Sequence, residues 1–131
     1  MAKTVRQLTP QELRQFDPTR NLSNVLDRER WATAQAKLPK LLTVLREQFA
    51  ATRVVLFGSL TAQNRFTHWS DIDLAVWGIP PARFYAAVAT LNEVSPDIKV
   101  DLVDPERCQS ATLKTIIQVE GITLWPTDLQ N

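Results

Sequence analysis

Apolar positions along the chain follow two periods in alternation. From about Asn24 to Phe49, the residues Val25, Trp31, Ala34, Leu38, Leu41, Leu42, Leu45 and Phe49 recur mostly at three- and four-residue steps, the mark of an amphipathic helix. Pro39 lies inside this stretch without an N–H to give, and is expected to kink the helix or split it in two. "RVVLF" (53–57) is instead a continuous, largely β-branched run closed by Gly58, and reads as a buried strand. "IDLAVW" (72–77) and "IKVDLV" (98–103) read as two more. Between those two, "IPPARFYAAVATLNE" returns to the helical period, with Pro80 and Pro81 at its start and Phe84, Ala87, Val88 and Leu91 on one face.

Punctuating residues divide the rest. Thr9, Pro10 and Glu12 have the spacing of an N-cap, a first helical residue and a capping-box carboxylate, so a short helix is predicted from Pro10 to about Phe16. "FDPTRNLS" is expected to interrupt it, because the residue before a proline avoids helical backbone. Asp104 and Pro105 stand as cap and first residue of a further helix, and "SATLKTIIQVEG" reads as a helix with Gly121 at its C-terminal end. "ITLW" is expected to add a short edge strand before Pro126. The pattern is that of an α/β (α+β) protein, a small mixed β-sheet with helices packed on it. Residues 1–29 are expected to form an N-terminal helical extension and residues 30–131 the main domain.

Composition narrows the function classes. A chain of 131 residues with 44% hydrophobic content has room for one core. Fifteen basic against fourteen acidic residues give a formal charge of +1, so no general field draws it to nucleic acid, and direct nucleic-acid binding is not expected. The single cysteine, Cys108, excludes an internal disulfide and any multi-cysteine zinc site. No signal-peptide core is seen at the N-terminus, and no run approaches the roughly 18 apolar residues of a membrane span. A soluble, cytoplasmic protein is expected.

Three carboxylates then stand out. Side chains alternate along a strand, so Asp71 and Asp73 face one way, about 6 to 7 Å apart, while Ile72, Leu74 and Val76 face the core. Asp101 lies inside "KVDLV", between Val100 and Leu102, which point to the opposite face. Aspartate is disfavoured within a β-branched strand, and if the two strands are neighbours the three carboxylates converge. Such a trio repels itself unless cations lie between its members, and hard divalent ions with oxygen ligands, Mg²⁺ above all, suit it. At the end of the first strand, Gly58 lets the backbone approach a ligand. The N–H groups of the turn, and of a helix beginning near Leu60, would face an anion, with Ser59 adding a hydroxyl donor. Phosphate on one side and metal-holding carboxylates on the other describe a nucleoside triphosphate site.

"GS", "SDIDLAV" and the separate "VDLV" strand together resemble the nucleotidyltransferase superfamily of the DNA polymerase β type, over about residues 30 to 125, and the small size is similar to the minimal nucleotidyltransferases. The resemblance implies the nucleotidyltransferase fold. It also implies that Gly58 and Ser59 hold the triphosphate, that Asp71 and Asp73 bind two Mg²⁺ ions, and that Asp101 shares the catalytic metal and helps deprotonate the acceptor hydroxyl. Relatives often carry a basic residue directly after Gly-Ser, where this chain has Leu60; Arg65 would supply a nucleotide-binding cation from a shifted position. Many minimal nucleotidyltransferases are antitoxins of HEPN-domain ribonuclease toxins, and members transfer AMP from ATP to a tyrosine of the toxin. That implies ATP as substrate and a HEPN toxin as partner in a hetero-oligomeric complex. Two other classes stay open. One is a binding-only antitoxin that masks its toxin through residues 1–29. The other is a small-molecule nucleotidyltransferase of the aminoglycoside-modifying type, which usually needs a further helical domain. The lone histidine, His68, is expected to be solvated, and Trp69 and Phe66 either stack on a base or pack the loop. Lys99 reads as an exposed cation.

Overall fold

The computed structural model describes residues 18–127, with side chains from Leu22 onward. The helix expected at Pro10–Phe16 lies outside the described residues. Helix α1 spans Pro18–Glu47, six residues longer at its start than the apolar period indicates. The proline of "FDPTRNLS" is the reason. It hinders helical backbone in the residue before it, but its own fixed φ suits the first turn of a helix, so it opens α1. Pro39 does not split the helix, which continues unbroken as a helical element past it, and α1 also runs without interruption across residues 29 and 30. At its C-terminal end Ala50 takes a left-handed backbone (φ 59°), and the N–H of Ala51 donates back to the carbonyl of Leu45 at 3.0 Å, closing the turn.

Strand β1 (Arg53–Phe57) lies at the centre of the sheet's connectivity. It pairs antiparallel with β2 (Ile72–Trp77) on one side and with β4 (Ile122–Trp125) on the other. Strand β3 (Val100–Val103) joins β2 in parallel, giving an open mixed sheet in the order β3-β2-β1-β4. The β2-to-β3 crossover is helix α2 (Pro81–Val94), started by the proline pair as anticipated. Strand β3 is two residues shorter than expected, since the Ile98 carbonyl accepts from the Ser95 hydroxyl in the preceding turn instead of a ladder partner. Helix α3 (Ala111–Glu120) precedes β4.

The helix expected from the sequence after Asp104 does not form. Around Asp104 the chain makes a turn only. The Asp104 carbonyl accepts from the N–H groups of Arg107 and Cys108, and its side chain accepts from the N–H of Glu106. The cap is there, but no apolar periodicity follows that would bury a helix there.

Both faces of the sheet are covered. Leu41 and Leu45 of α1 and Leu91 of α2 pack on Val54, Leu56, Ile72, Leu74, Val76 and Val100, all essentially excluded from solvent. On the opposite face Val55, Phe57 and Ala75 meet Ile117 of α3. The aspartates at 73 and 101 belong to this second face, because the residues flanking each, Ile72, Leu74 and Val100, are in the first core.

Candidate active site

Parallel pairing of β2 with β3 sets Asp73 opposite Asp101, and antiparallel pairing of β2 with β1 sets Asp73 opposite Phe57, the residue before Gly58. Two long-range pairings thus bring the carboxylates and the Gly-Ser turn to one end of the sheet. Gly58 has φ +77°, a conformation that side chains rarely take, and a Cβ built on it would collide with Asp73 Oδ2. The glycine therefore serves both the turn and the carboxylate that lies over it. The helix expected near Leu60 is replaced by two short 3₁₀ turns, Gly58–Thr61 and Gln63–Arg65. Leu60 is buried under them and the Thr61 hydroxyl donates to the Gly58 carbonyl at 2.7 Å.

Asp73 is the electrostatic centre of the cluster. Burial, and then the negative charges of Asp101 and Asp71, push its carboxyl from the ordinary 3.8 up to about 6, with Lys99 opposing the rise. The two outer carboxylates are each met by a cation. Arg30 of α1 reaches Asp71 at 3.7 Å, and its Nε donates to the neighbouring carbonyl of Ser70 at 2.9 Å. Lys99 Nζ lies 3.2 Å from Asp101, which raises the lysine's own pKa. As the side chains lie, no three His, Cys, Asp or Glu groups among the described residues stand together in coordinating geometry. The donor chemistry is nonetheless that of a hard divalent cation. The three groups are all-oxygen, anionic and adjacent, and the one at the centre is desolvated and in no ion pair among the described residues.

The remaining sequence-derived residues divide. Gly58, Ser59, Asp73 and Asp101 share the sheet end, with Asp71 at the entry of β2. Arg65 is turned to α3, where its guanidinium donates to Glu120 at 2.8 and 3.5 Å and lowers that carboxyl's pKa. His68 is not solvated as expected. Its backbone N–H donates to Asp27 Oδ1 at 2.7 Å and its Nδ1 stands 2.6 Å from the same oxygen, which holds the Asp27 carboxyl below its usual range. The ionised carboxylate can only accept, so Nδ1 carries the proton. Phe66 packs the loop, being almost fully buried, whereas Trp69 is 82% exposed.

Sequence reasoning missed Asp27, Arg30 and Asn92. Asp27 and Arg30, one turn apart on α1, grip the loop that delivers Asp71. Asn92 of α2 donates to the Val100 carbonyl and accepts from its N–H, fixing the entry of the strand that carries Asp101. The three-residue spacing of Asp27 and Arg30 was a visible signal, but a polar helical pair names no target without the fold.

The family model described as Polymerase beta, Nucleotidyltransferase matches residues 39–130, and the chain belongs to that family. Its structural neighbours are MntA antitoxins in complex with HEPN toxins. The chain is 27% identical to a chain in the toxin–antitoxin MntA–HepT crystal structure, covering 71% of this chain and 73% of that one at a TM-score of 0.53. It is 28% identical, over 71% of this chain and 72% of the other at a TM-score of 0.53, to a chain in the complex of tri-AMPylated Shewanella oneidensis HEPN toxin with MNT antitoxin. A toxin–antitoxin structure with AMP-PNP matches at 29% identity and a TM-score of 0.55, over 72% of this chain and 75% of that one. No curated protein sequence matches significantly. No helix among the described residues is long and apolar enough to cross a membrane.

Proposed function

We propose that this nucleotidyltransferase moves AMP from ATP to a hydroxyl of a HEPN-type toxin, with Mg²⁺, and thereby acts as its antitoxin. The observation that carries the reading is the pairing of Asp73 with Asp101 directly over the Gly58 turn, acidic groups and a backbone anion cradle at one sheet end. The neighbours support the rest, since one is an MNT antitoxin with a tri-AMPylated HEPN toxin and another holds AMP-PNP. The likeness covers most of each chain but is below a third in identity, so acceptor and nucleotide are part of the proposal.

In this reading the turn N–H groups and the Ser59 hydroxyl hold phosphate oxygens, and Arg65 swings from Glu120 to the triphosphate. Asp71, Asp73 and Asp101 would hold two Mg²⁺ ions, which supply charge neutralisation of the phosphate oxygens. The acceptor oxygen attacks the α-phosphorus, the α–β anhydride bond breaks, pyrophosphate leaves and the hydroxyl proton passes to Asp101. The reading carries with it a cytoplasmic location, where ATP and Mg²⁺ are at hand.

The test is incubation of the purified protein with labelled ATP, Mg²⁺ and its helical partner. Label on the partner, lost in Asp71→Asn and Asp73→Asn, is the expected result. One observation favours a second reading, a binding-only antitoxin that contacts its toxin through residues 1–29. Asp71 and Asp101 are already met by cations and Arg65 by Glu120, three groups that turnover would need free. Full neutralisation by an Asp71/Asp73 double variant, with no label in the wild type, would establish that reading instead.

A further inference from the structure

The first two-thirds of α1 precede the stretch matched by the family model, which begins at residue 39, yet this part of the helix reaches into the acidic site. Its side chains close on two segments at once. Asp27 holds His68, Arg30 donates to the carbonyls of Ser70 (2.9 Å) and Asp97 (3.4 Å), and Lys37 pairs with Asp97 at 2.6 Å. The first segment leads into β2 and the second into β3, so the helix ties together the entries of both acidic strands. The Arg30 side chain is 23% exposed and hydrogen-bonded through Nε. It is a placed guanidinium: Nε and one terminal nitrogen are held by the two carbonyls, and the other terminal nitrogen faces Asp71 at 3.7 Å.

On the other acidic strand Lys99 does the same for Asp101 from a more exposed position. Asp73, between them, is in no ion pair among the described residues. A carboxylate cluster without counter-ions would carry full mutual repulsion, and these two side chains oppose it at the outer members. A divalent cation that uses the engaged oxygens, Asp71 Oδ1 and Asp101 Oδ1, must displace these side chains, because an oxygen facing a guanidinium or ammonium is not presented to the metal. Arg30 has somewhere to go. It borders a cleft of about 370 Å³ whose other walls include Glu29, a carboxylate that can receive a displaced guanidinium. Lys99 opens directly to solvent.

We propose that Arg30 and Lys99 are built-in counter-ions of the site: they hold Asp71 and Asp101 in the metal-free protein and are displaced by the divalent cation on loading. They are positioning residues, acting through the carboxylates. The inference rests on the proposed metal-dependent function but makes a claim about binding, so it is tested without turnover.

The experiment is titration of the full chain with Mn²⁺ in the absence of nucleotide, following free Mn²⁺ by electron paramagnetic resonance. Arg30→Met, Lys99→Met and, as a control for bulk charge, Lys40→Met are compared with wild type; Lys40 lies on α1 about 15 Å along the axis from Arg30. Release of an internal pair is expected to tighten Mn²⁺ binding roughly two- to fivefold in Arg30→Met and Lys99→Met, and to leave Lys40→Met near wild type. A merely structural role for Arg30 would weaken binding by loosening the loop. Equal affinities in Arg30→Met and Lys40→Met, an absence of binding in both included, or weaker binding in Arg30→Met with its melting temperature preserved, overturns the proposal. Tightened Mn²⁺ binding together with no label on any partner would overturn the transfer reading alone.

Discussion

Asp73 shows how one residue can be costly to the fold and useful to the site. Its carboxyl is raised to about 6, so between the ordinary 3.8 and that value the folded state binds a proton that the unfolded state has released. Unfolding then gains from each rise in pH across the window. The stability of the protein in EDTA should therefore fall as pH goes from about 4 to about 6, and Asp73→Asn should flatten this dependence and unfold at higher urea at pH 7. Urea midpoints at pH 4.5 and 7 check it. Ala50 is a second residue held at a cost, with a left-handed backbone where α1 ends and no side-chain reason for it. Ala50→Gly is expected to stabilise by about 0.5–1 kcal/mol, measured by thermal unfolding. Neither cost is visible as such in the sequence. "DID" shows two carboxylates, but the burial and the third charge that shift Asp73 come from β3, 28 positions further on.

Between elements, the site depends on side chains that bridge them. Asp27 fixes the loop before β2 by holding His68 at both ring and backbone, and its carboxyl is lowered by that contact. Asp27→Ala should speed hydrogen exchange at the His68 amide while leaving exchange in β1 unchanged. In the wild type the same release should appear as pH falls below the usual carboxylate range, through the lowered value of Asp27, because the contact is present only while Asp27 is ionised. The α3–β4 corner depends on contact of a different kind. Gly121 was anticipated as a helix-ending glycine, and it is one, but its φ of −63° is ordinary. What it provides is space, since a Cβ there would collide with the Ile117 carbonyl and with Val55. Gly121→Ala is expected to cost about 1–3 kcal/mol in urea unfolding, the usual size of an overpacked site. The element that failed to appear, the helix after Asp104, failed because a cap signals where a helix can start and burial decides whether one does.

Across the molecule, α1 is both the spine of the first core and the clamp on the loops that lead into the candidate site. Leu45, excluded from solvent at the level of the sheet centre, should lose about 2–5 kcal/mol on substitution by alanine, measured by urea denaturation. The sequence by itself determined the strands, the helices over 81–94 and 111–120, and the buried alternation of Ile72, Leu74 and Val76, and it marked the Gly-Ser turn and three carboxylates as the candidate site. Those depend on local periodicity, backbone preference and residue type, all of which are written in neighbouring positions. Only the tertiary structure decided that Asp73 faces Asp101 over Gly58, that Arg30 meets Asp71, and that Arg65 and His68 have partners in Glu120 and Asp27. These are encounters between residues 15 to 55 positions apart. Strand order and helix docking select them through the burial of both sheet faces, and short-range pattern carries no record of which polar side chains that burial will bring together.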